Sequence, residues 1–263
     1  MARGKNKKQP KKDKSAKKGD RHPFSRKEWF NIISPGAVQT KKSVGWTCCK
    51  KPQGTQVISD FLKGRVAEMA YSDITGSAKD VSKRIYSTVD EVQGTNCFTT
   101  FYKYELARDK ISGMLRKRQS LIEVNCEVKT EDGVLLRVFV VVVSKKLPGQ
   151  VRLNSYVKHT KAKFLRKKLI AELQAGALKL KGDALVYDAL TETLQKRLEK
   201  TATRIVPGCM LQIAKIKTIK RGALDVKRLV EDFNAQESRA GTDETAKENP
   251  EAQNPLSSEA AKP

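Results

Sequence analysis

The sequence predicts an α+β protein, a largely antiparallel sheet flanked by basic helices, between two polar tails. Three observations carry that prediction. Residues 121–129 alternate apolar and polar side chains, and residues 134–143 are almost entirely apolar and β-branched, with an Asp-Gly turn between them. Residues 162–173 place Ala162, Leu165, Leu169 and Leu173 on one helical stripe among lysines and arginines. The formal net charge is +24, from 53 Lys+Arg against 29 Asp+Glu.

That charge belongs to the body of the chain. Residues 1–22 hold ten basic and two acidic residues, and residues 234–263 hold three basic and six acidic, which leaves +19 on residues 23–233. A folded body so charged repels itself unless a polyanion neutralises it. RNA or DNA is the first partner class on charge, and an anionic membrane surface the second. The longest uninterrupted apolar run is Val138 to Val143, far short of the roughly 20 residues a membrane span needs. The N-terminus is charged, with no apolar signal core. The five cysteines, Cys48, Cys49, Cys97, Cys126 and Cys209, form no C-x-x-C spacing. A cytosolic or nuclear protein with reduced thiols is expected.

Taken in order, residues 1–22 carry no large apolar side chain after Met1 and are expected to be a disordered basic tail. Lys5, Lys7, Lys8, Lys11 and Lys12 could thread across phosphates, address the chain to the nucleus, or simply be solvated. Ser25 and Glu28 have capping-box spacing, which predicts a short helix through P-F-S-R-K-E-W-F. Trp29, Phe30, Ile32 and Ile33 would anchor it on the body, an aromatic here being more often core than a base-stacking platform. A short strand is expected at 43–49, turn chemistry at 50–55, a short helical or looped piece before Gly64, and a strand at 65–71. Residues 73–79 read as a loop and residues 83–93 as a half-buried strand. Gln53-Gly54-Thr55 and Gln93-Gly94-Thr95 both read as turns in which glycine permits a positive φ.

An aromatic strand at 98–104 precedes a predicted helix over 106–118, with Ile111, Met114 and Leu115 as its stripe. Lys110, Arg116, Lys117 and Arg118 would lie on the remainder. The last three would sit in the final turn, where they would also complement the helix dipole. After the strand pair and a Pro148-Gly149 connector comes the basic helix. Lys161, Lys163, Arg166, Lys167 and Lys168 surround most of it, and Phe164 falls among them. Phe164 could stack on an unpaired base or pack beneath a neighbouring loop. Residues 183–204 read as helix with a break near Thr191, ended by Pro207-Gly208. A last strand at 209–219 carries Lys215 and Lys217 on one face, with Lys220 in the turn after it. A short helix is expected at 224–233, and residues 234–263 form an acidic tail expected to be disordered.

No catalytic constellation emerges. The two histidines, His22 and His159, cannot make a zinc site with these cysteine spacings. No Walker A sequence, G-x-G-x-x-G or nucleophile elbow occurs. Asp60, Glu68, Asp90 and Glu91 could converge on magnesium in a nuclease, but a body this basic offers each acid lysines first. The residues alone therefore favour a binding protein with no catalytic residue, metal or cofactor, over an RNA-cleaving or RNA-modifying enzyme and over a membrane or cytoskeletal binder.

Several blocks resemble a known family. They are V-Q-G-T-N-C-F-T-T-F from Val92, L-A-R-D-K-I-S-G-M-L-R-K-R-Q-S-L-I-E-V from Leu106 and V-K-T-E-D-G-V-L-L-R-V-F from Val128. P-F-S-R-K-E-W, G-T-Q-V-I-S-D-F-L-K-G-R-V-A-E, S-Y-V-K-H-T-K-A-K-F-L-R-K-K and I-V-P extend the likeness over residues 20–233. Together they resemble the eukaryotic and archaeal small-subunit ribosomal protein family S three-a, also called e-S-one. Residues 176–190 and the tails depart from its pattern, and Cys48-Cys49 stands where a less cysteine-rich strand is expected.

The resemblance implies an antiparallel sheet, partly closed like a barrel, in one body spanning 23–233. It implies a structural constituent of the small-subunit platform near the messenger RNA exit channel. Small-subunit ribosomal RNA and neighbouring ribosomal proteins would be its partners, with messenger RNA and initiation factors at the exit side as further contacts. No small-molecule substrate is implied. The location would be the cytoplasmic ribosome, with assembly in the nucleolus. The expected RNA-binding set is Lys5, Lys7, Lys8, Lys11, Lys12, Lys110, Arg116, Lys117, Arg118, Lys161, Lys163, Phe164, Arg166, Lys167, Lys168, Lys215, Lys217 and Lys220. A non-ribosomal RNA-binding or RNA-processing protein is the competing reading.

Overall fold

A computed structural model describes residues 23–38, 42–222 and 231. The expected tails and most of the expected helix at 224–233 lie outside them. The chain enters through a single helical turn at Pro23–Arg26 and then runs as a strand, β1 (Lys27–Ile33). This corrects the helix expected from the capping box. Tryptophan, phenylalanine and paired isoleucines are strand formers, and two partners are available. β1 pairs antiparallel with β2 (Ser43–Lys50) and in parallel with β5 (Asn96–Leu106). Phe30 and Ile33 are buried, but Trp29 stands half-exposed beside Phe24 and outside the buried clusters.

α1 (Ile58–Leu62) and β3 (Val66–Ala70) follow. The expected loop at 73–79 begins inside a short helix, α2 (Tyr71–Thr75), closed by Gly76 at φ 70. β4 (Lys83–Gln93) and β5 make a hairpin about Gly94, whose φ of 57 is the left-handed conformation expected of it. The helix expected over 106–118 is cut to α3 (Arg108–Met114). Arg116, Lys117 and Arg118 therefore leave the last helical turn and form a loop in which Arg118 takes φ 66.

β6 (Leu121–Lys129) alternates exposed and buried without a break. It pairs residue for residue with β7 (Leu135–Ser144), from Leu121 opposite Val143 to Lys129 opposite Leu135. The helices α4 (His159–Ala177), α5 (Gly182–Leu190) and α6 (Thr193–Ile205) come next, then β8 (Cys209–Lys220). The expected break near Thr191 is real: Glu192 turns the chain at φ 64 between α5 and α6.

The eight strands form one open, mostly antiparallel sheet in the order β2-β1-β5-β8-β7-β6, with β4 and β3 branching from β5. The main core lies between the helices and one face of β6–β7–β8. Leu165, Leu169, Leu173, Leu194 and Leu198 pack there on Ile122, Val124, Val138, Val140 and Ile213. Burying one such leucine contributes about 1.5–3 kcal/mol. A smaller cluster of Phe30, Cys49, Leu62, Val89 and Cys97 lies between α1 and the β1–β2 end. Cys49 thus has a packing role, and burial pushes the Cys97 thiol above its ordinary value.

Two polar ties join the halves. Lys83 Nζ donates to the Leu190 carbonyl at 2.7 Å and meets Asp80 at 2.9 Å and Glu192 at 3.1 Å, fastening the α5–α6 turn to β4. Burial disfavours its charge, but the two carboxylates outweigh burial and hold the ammonium above its ordinary range. At the other tie, Glu105 on β5 meets Lys215 on β8 at 3.0 Å and also Lys103. Partial burial raises the Glu105 carboxyl, and the two lysines more than reverse that, leaving it below its ordinary value.

Candidate nucleic-acid interface

The basic helix takes the face the leucine stripe dictates. Ala162, Leu165, Leu169, Leu173 and Ala177 are buried against the sheet. Lys161, Lys163, Lys167 and Lys168 are exposed on α4. Phe164 is 50% exposed among them, with Lys168 Nζ 5.8 Å from its ring centroid. It presents a ring to solvent instead of packing under a loop. Arg166 differs from its neighbours. It is half-buried, and its Nε donates to the Glu123 carbonyl of β6 at 3.2 Å, so it clamps the helix to the sheet.

The loop carrying Arg116, Lys117 and Arg118 is drawn to the start of α4. The Arg118 carbonyl accepts from the Ser155 amide at 3.0 Å and from its hydroxyl at 3.1 Å. Gln119 bridges Ser155, and the Val157 amide donates to Ser120 Oγ at 3.0 Å. Four residues after Ser155, α4 begins. The loop is thereby tied to the segment that leads into α4 and its lysines.

A depression beside them is lined by Lys145, Arg152, Lys158 and Lys161, together with Ser155 and Asn154. Among the described residues no carboxylate lines it. Lys145, Arg152 and Lys158 were not singled out from the sequence, because they belong to the connector around Pro148-Gly149 and to no periodic element. The signal was the basic, proline-containing composition of residues 145–158.

The β8 lysines lie elsewhere. Lys215 is opposite Phe139, and Phe139 opposite Asn125, on the sheet face that turns away from α4's leucines. Lys215 is half-buried and paired with Glu105. Lys217 and Lys220 are exposed on the same strand, as is Lys110 on α3. Lys5, Lys7, Lys8, Lys11 and Lys12 lie outside the described residues.

The acids weighed as metal ligands are spread over several partners. Glu68 pairs with Arg84, Asp90 with Arg221 and Glu91 with Lys63. Asp132 accepts the Gly182 amide at 3.1 Å and caps α5. Among the described residues no three His, Cys, Asp or Glu side chains are grouped as metal ligands, and no helix is long and apolar enough to cross a membrane.

Residues 15–222 match the model of the ribosomal S3Ae family. The chain belongs to that family. Among curated relatives, the small ribosomal subunit protein eS1 of Theileria annulata is 36% identical over 259 residues, 98% of each chain. The proteins of the same name from Theileria parva and Babesia bovis are 36% and 32% identical over the same span and coverage. The S3Ae match runs through both basic clusters and through residues 176–190, where the sequence motifs were least regular. In this S3Ae chain that stretch holds the end of α4 and the whole of α5, which contributes Leu185, Val186, Ala189 and Leu190 to the core.

Proposed function

We propose that this chain is a structural constituent of the small ribosomal subunit. Its body, residues 23–233, holds ribosomal RNA by the phosphate backbone and sits among neighbouring ribosomal proteins on the platform near the messenger RNA exit. The observation that carries this reading is the tying of the Arg116–Lys117–Arg118 loop, through Ser155, to the segment that opens the lysine-rich α4, in a chain of the S3Ae family. Exposed lysines on a rigid helix fit the shape and phosphates of an RNA duplex, where base edges are hard to reach. The work is positioning, with no catalytic step, cofactor or small-molecule substrate. Messenger RNA and initiation factors are the further partners expected at such a place. Residence is on cytoplasmic ribosomes after assembly in the nucleolus.

The test is sedimentation of the tagged chain from cell lysate. Wild type should run with small subunits and full ribosomes. Lys163→Glu/Lys167→Glu/Lys168→Glu should fold yet stay near the top of the gradient. Arg166 is left intact because it clamps α4 to β6. Wild-type chain found only in the top fractions would refute the proposal, and normal incorporation of the triple variant would refute the chosen face.

A further inference from the structure

The chain contains two tryptophans, and both stand on one face of the β1–β2 ribbon that is left exposed among the described residues. Trp29 is 46% exposed and Trp46 is 64% exposed. Antiparallel register puts Lys27 opposite Lys50, Trp29 opposite Cys48 and Asn31 opposite Trp46. These six side chains therefore share a face, because directly opposed residues and those two apart point the same way. The two indoles are diagonal cross-strand neighbours, at a spacing of roughly 7–8 Å between such positions. Phe24 adds a third ring, 6.1 Å from Trp29, with Lys27 Nζ 4.8 Å from its centroid. The other face of the ribbon is the one that Phe30 and Cys49 pack beneath Leu62 of α1.

A core has no use for this arrangement, and its composition says what would cover it. A protein-docking face of this size would be expected to pair its cations with carboxylates or bury them. Here the face carries two lysines and no acid from either strand: Glu28 points to the other side, opposite Cys49. Two exposed rings on one face, with a pair of cations at one end of it, match the two repeating parts of a single-stranded nucleic acid, its bases and its phosphates. We propose that this face is a stacking platform for unpaired RNA, in which one base stacks on Trp46, a neighbour stacks on Trp29, and Lys27 and Lys50, paired at the Trp29 end, meet the phosphate that follows the second base. The platform rests on the RNA-binding reading of the chain, but it is a separate site from α4 and uses a different part of the ligand. Half-exposed Cys48 between the rings is accounted for by it: a small side chain opposite Trp29 leaves room for a base.

Since both tryptophans lie on the platform, intrinsic fluorescence of the full chain reports on it directly. Titration with a twelve-nucleotide uridine or adenosine strand should quench the emission saturably. An RNA duplex and heparin, which offer phosphates or sulfates without free base faces, should bind while quenching little. Trp46→Ala should weaken single-strand binding by about tenfold and leave duplex binding unchanged. Trp46→Phe, which keeps a smaller ring, should fall between. Duplex binding with no single-strand quenching, equal quenching by heparin, or wild-type single-strand affinity in Trp46→Ala would each overturn the platform while leaving the duplex surface standing. Loss of all RNA binding by the wild-type chain would overturn both. A fluorescence change on raising protein concentration without RNA would assign the face to a second copy and overturn the platform.

Discussion

The α4 half and the β1–β2 end of this molecule both present lysines and aromatic rings to solvent, but on different scaffolds. On α4 the lysines radiate from a cylinder whose buried side is a continuous leucine stripe. On β1–β2 the two lysines stand together at the Trp29 end of the ribbon, over a small cluster of Phe30, Cys49, Leu62, Val89 and Cys97. A cylinder spreads charge over a wide angle, which suits the phosphates of a duplex. A ribbon sets its rings on one face, which suits the unpaired bases proposed above. The same residue types are thus assigned to different ligand features by the geometry beneath them.

The largest effect that would break this contrast is in salt dependence. If the α4 surface neutralises six to ten phosphates, duplex affinity should fall by about 10³–10⁵ between roughly 50 and 200 mM salt. Lys163→Ala/Lys167→Ala/Lys168→Ala should lower the slope of log affinity against log salt by about 3, measured by fluorescence anisotropy of labelled duplex. An unchanged slope would place the phosphates elsewhere.

Next is the difference in core. Leu169→Ala and Leu62→Ala each remove a fully buried leucine and should each cost about 2–5 kcal/mol locally. Hydrogen exchange should separate them. Leu169→Ala should raise exchange through α4 and β6–β8, and Leu62→Ala only through β1, β2 and α1, because the smaller cluster can open by itself. Uniform acceleration in both would mean one cooperative unit.

The ties between the halves come third. Lys83→Met should destabilise by about 3 kcal/mol in urea unfolding, at the low end for a broken buried pair because Glu192 reaches water. The folded ammonium is held above its ordinary value of 10.5. Its contribution is therefore complete below that value and is lost as pH rises through the higher folded value. Wild type and Lys83→Met should converge in stability on the alkaline side.

The smallest effect is at Glu105. Its folded carboxyl is held low, so its contribution is present above the unfolded carboxylate range and goes as pH falls through the folded value. Glu105→Gln should flatten part of the acid-side loss of stability. The change will be slight, since exposed pairs are screened by water.

Much of the α4 half was legible before any coordinates. The β6 alternation, the Asp-Gly turn and the leucine stripe each specify a local period, and each formed within a few residues of its expected bounds. Gly94 and Gly133 take the positive φ their turns require. The β1–β2 end was read less well. Ser25 and Glu28 imitate a helix start, and the short window contains nothing to overrule them. What overrules them is main-chain pairing with β2 and β5, which no local pattern displays. Arg116–Arg118 were placed in a helix for the same reason, since propensity could not foresee the hydrogen bonds to Ser155 that end it early.

The sequence by itself determined the charge of the body, the strand hairpin, the buried stripe of α4 and the residues able to meet an anion, because composition and periodicity are local quantities. Only the tertiary structure decided which cations act together. It joined Arg118 to α4, tied Arg166 to Glu123 and Lys215 to Glu105, and left Trp29 and Trp46 side by side in solvent. Those outcomes depend on pairing between residues far apart in the chain, and charge acquires a direction only when such pairing chooses the face on which it stands.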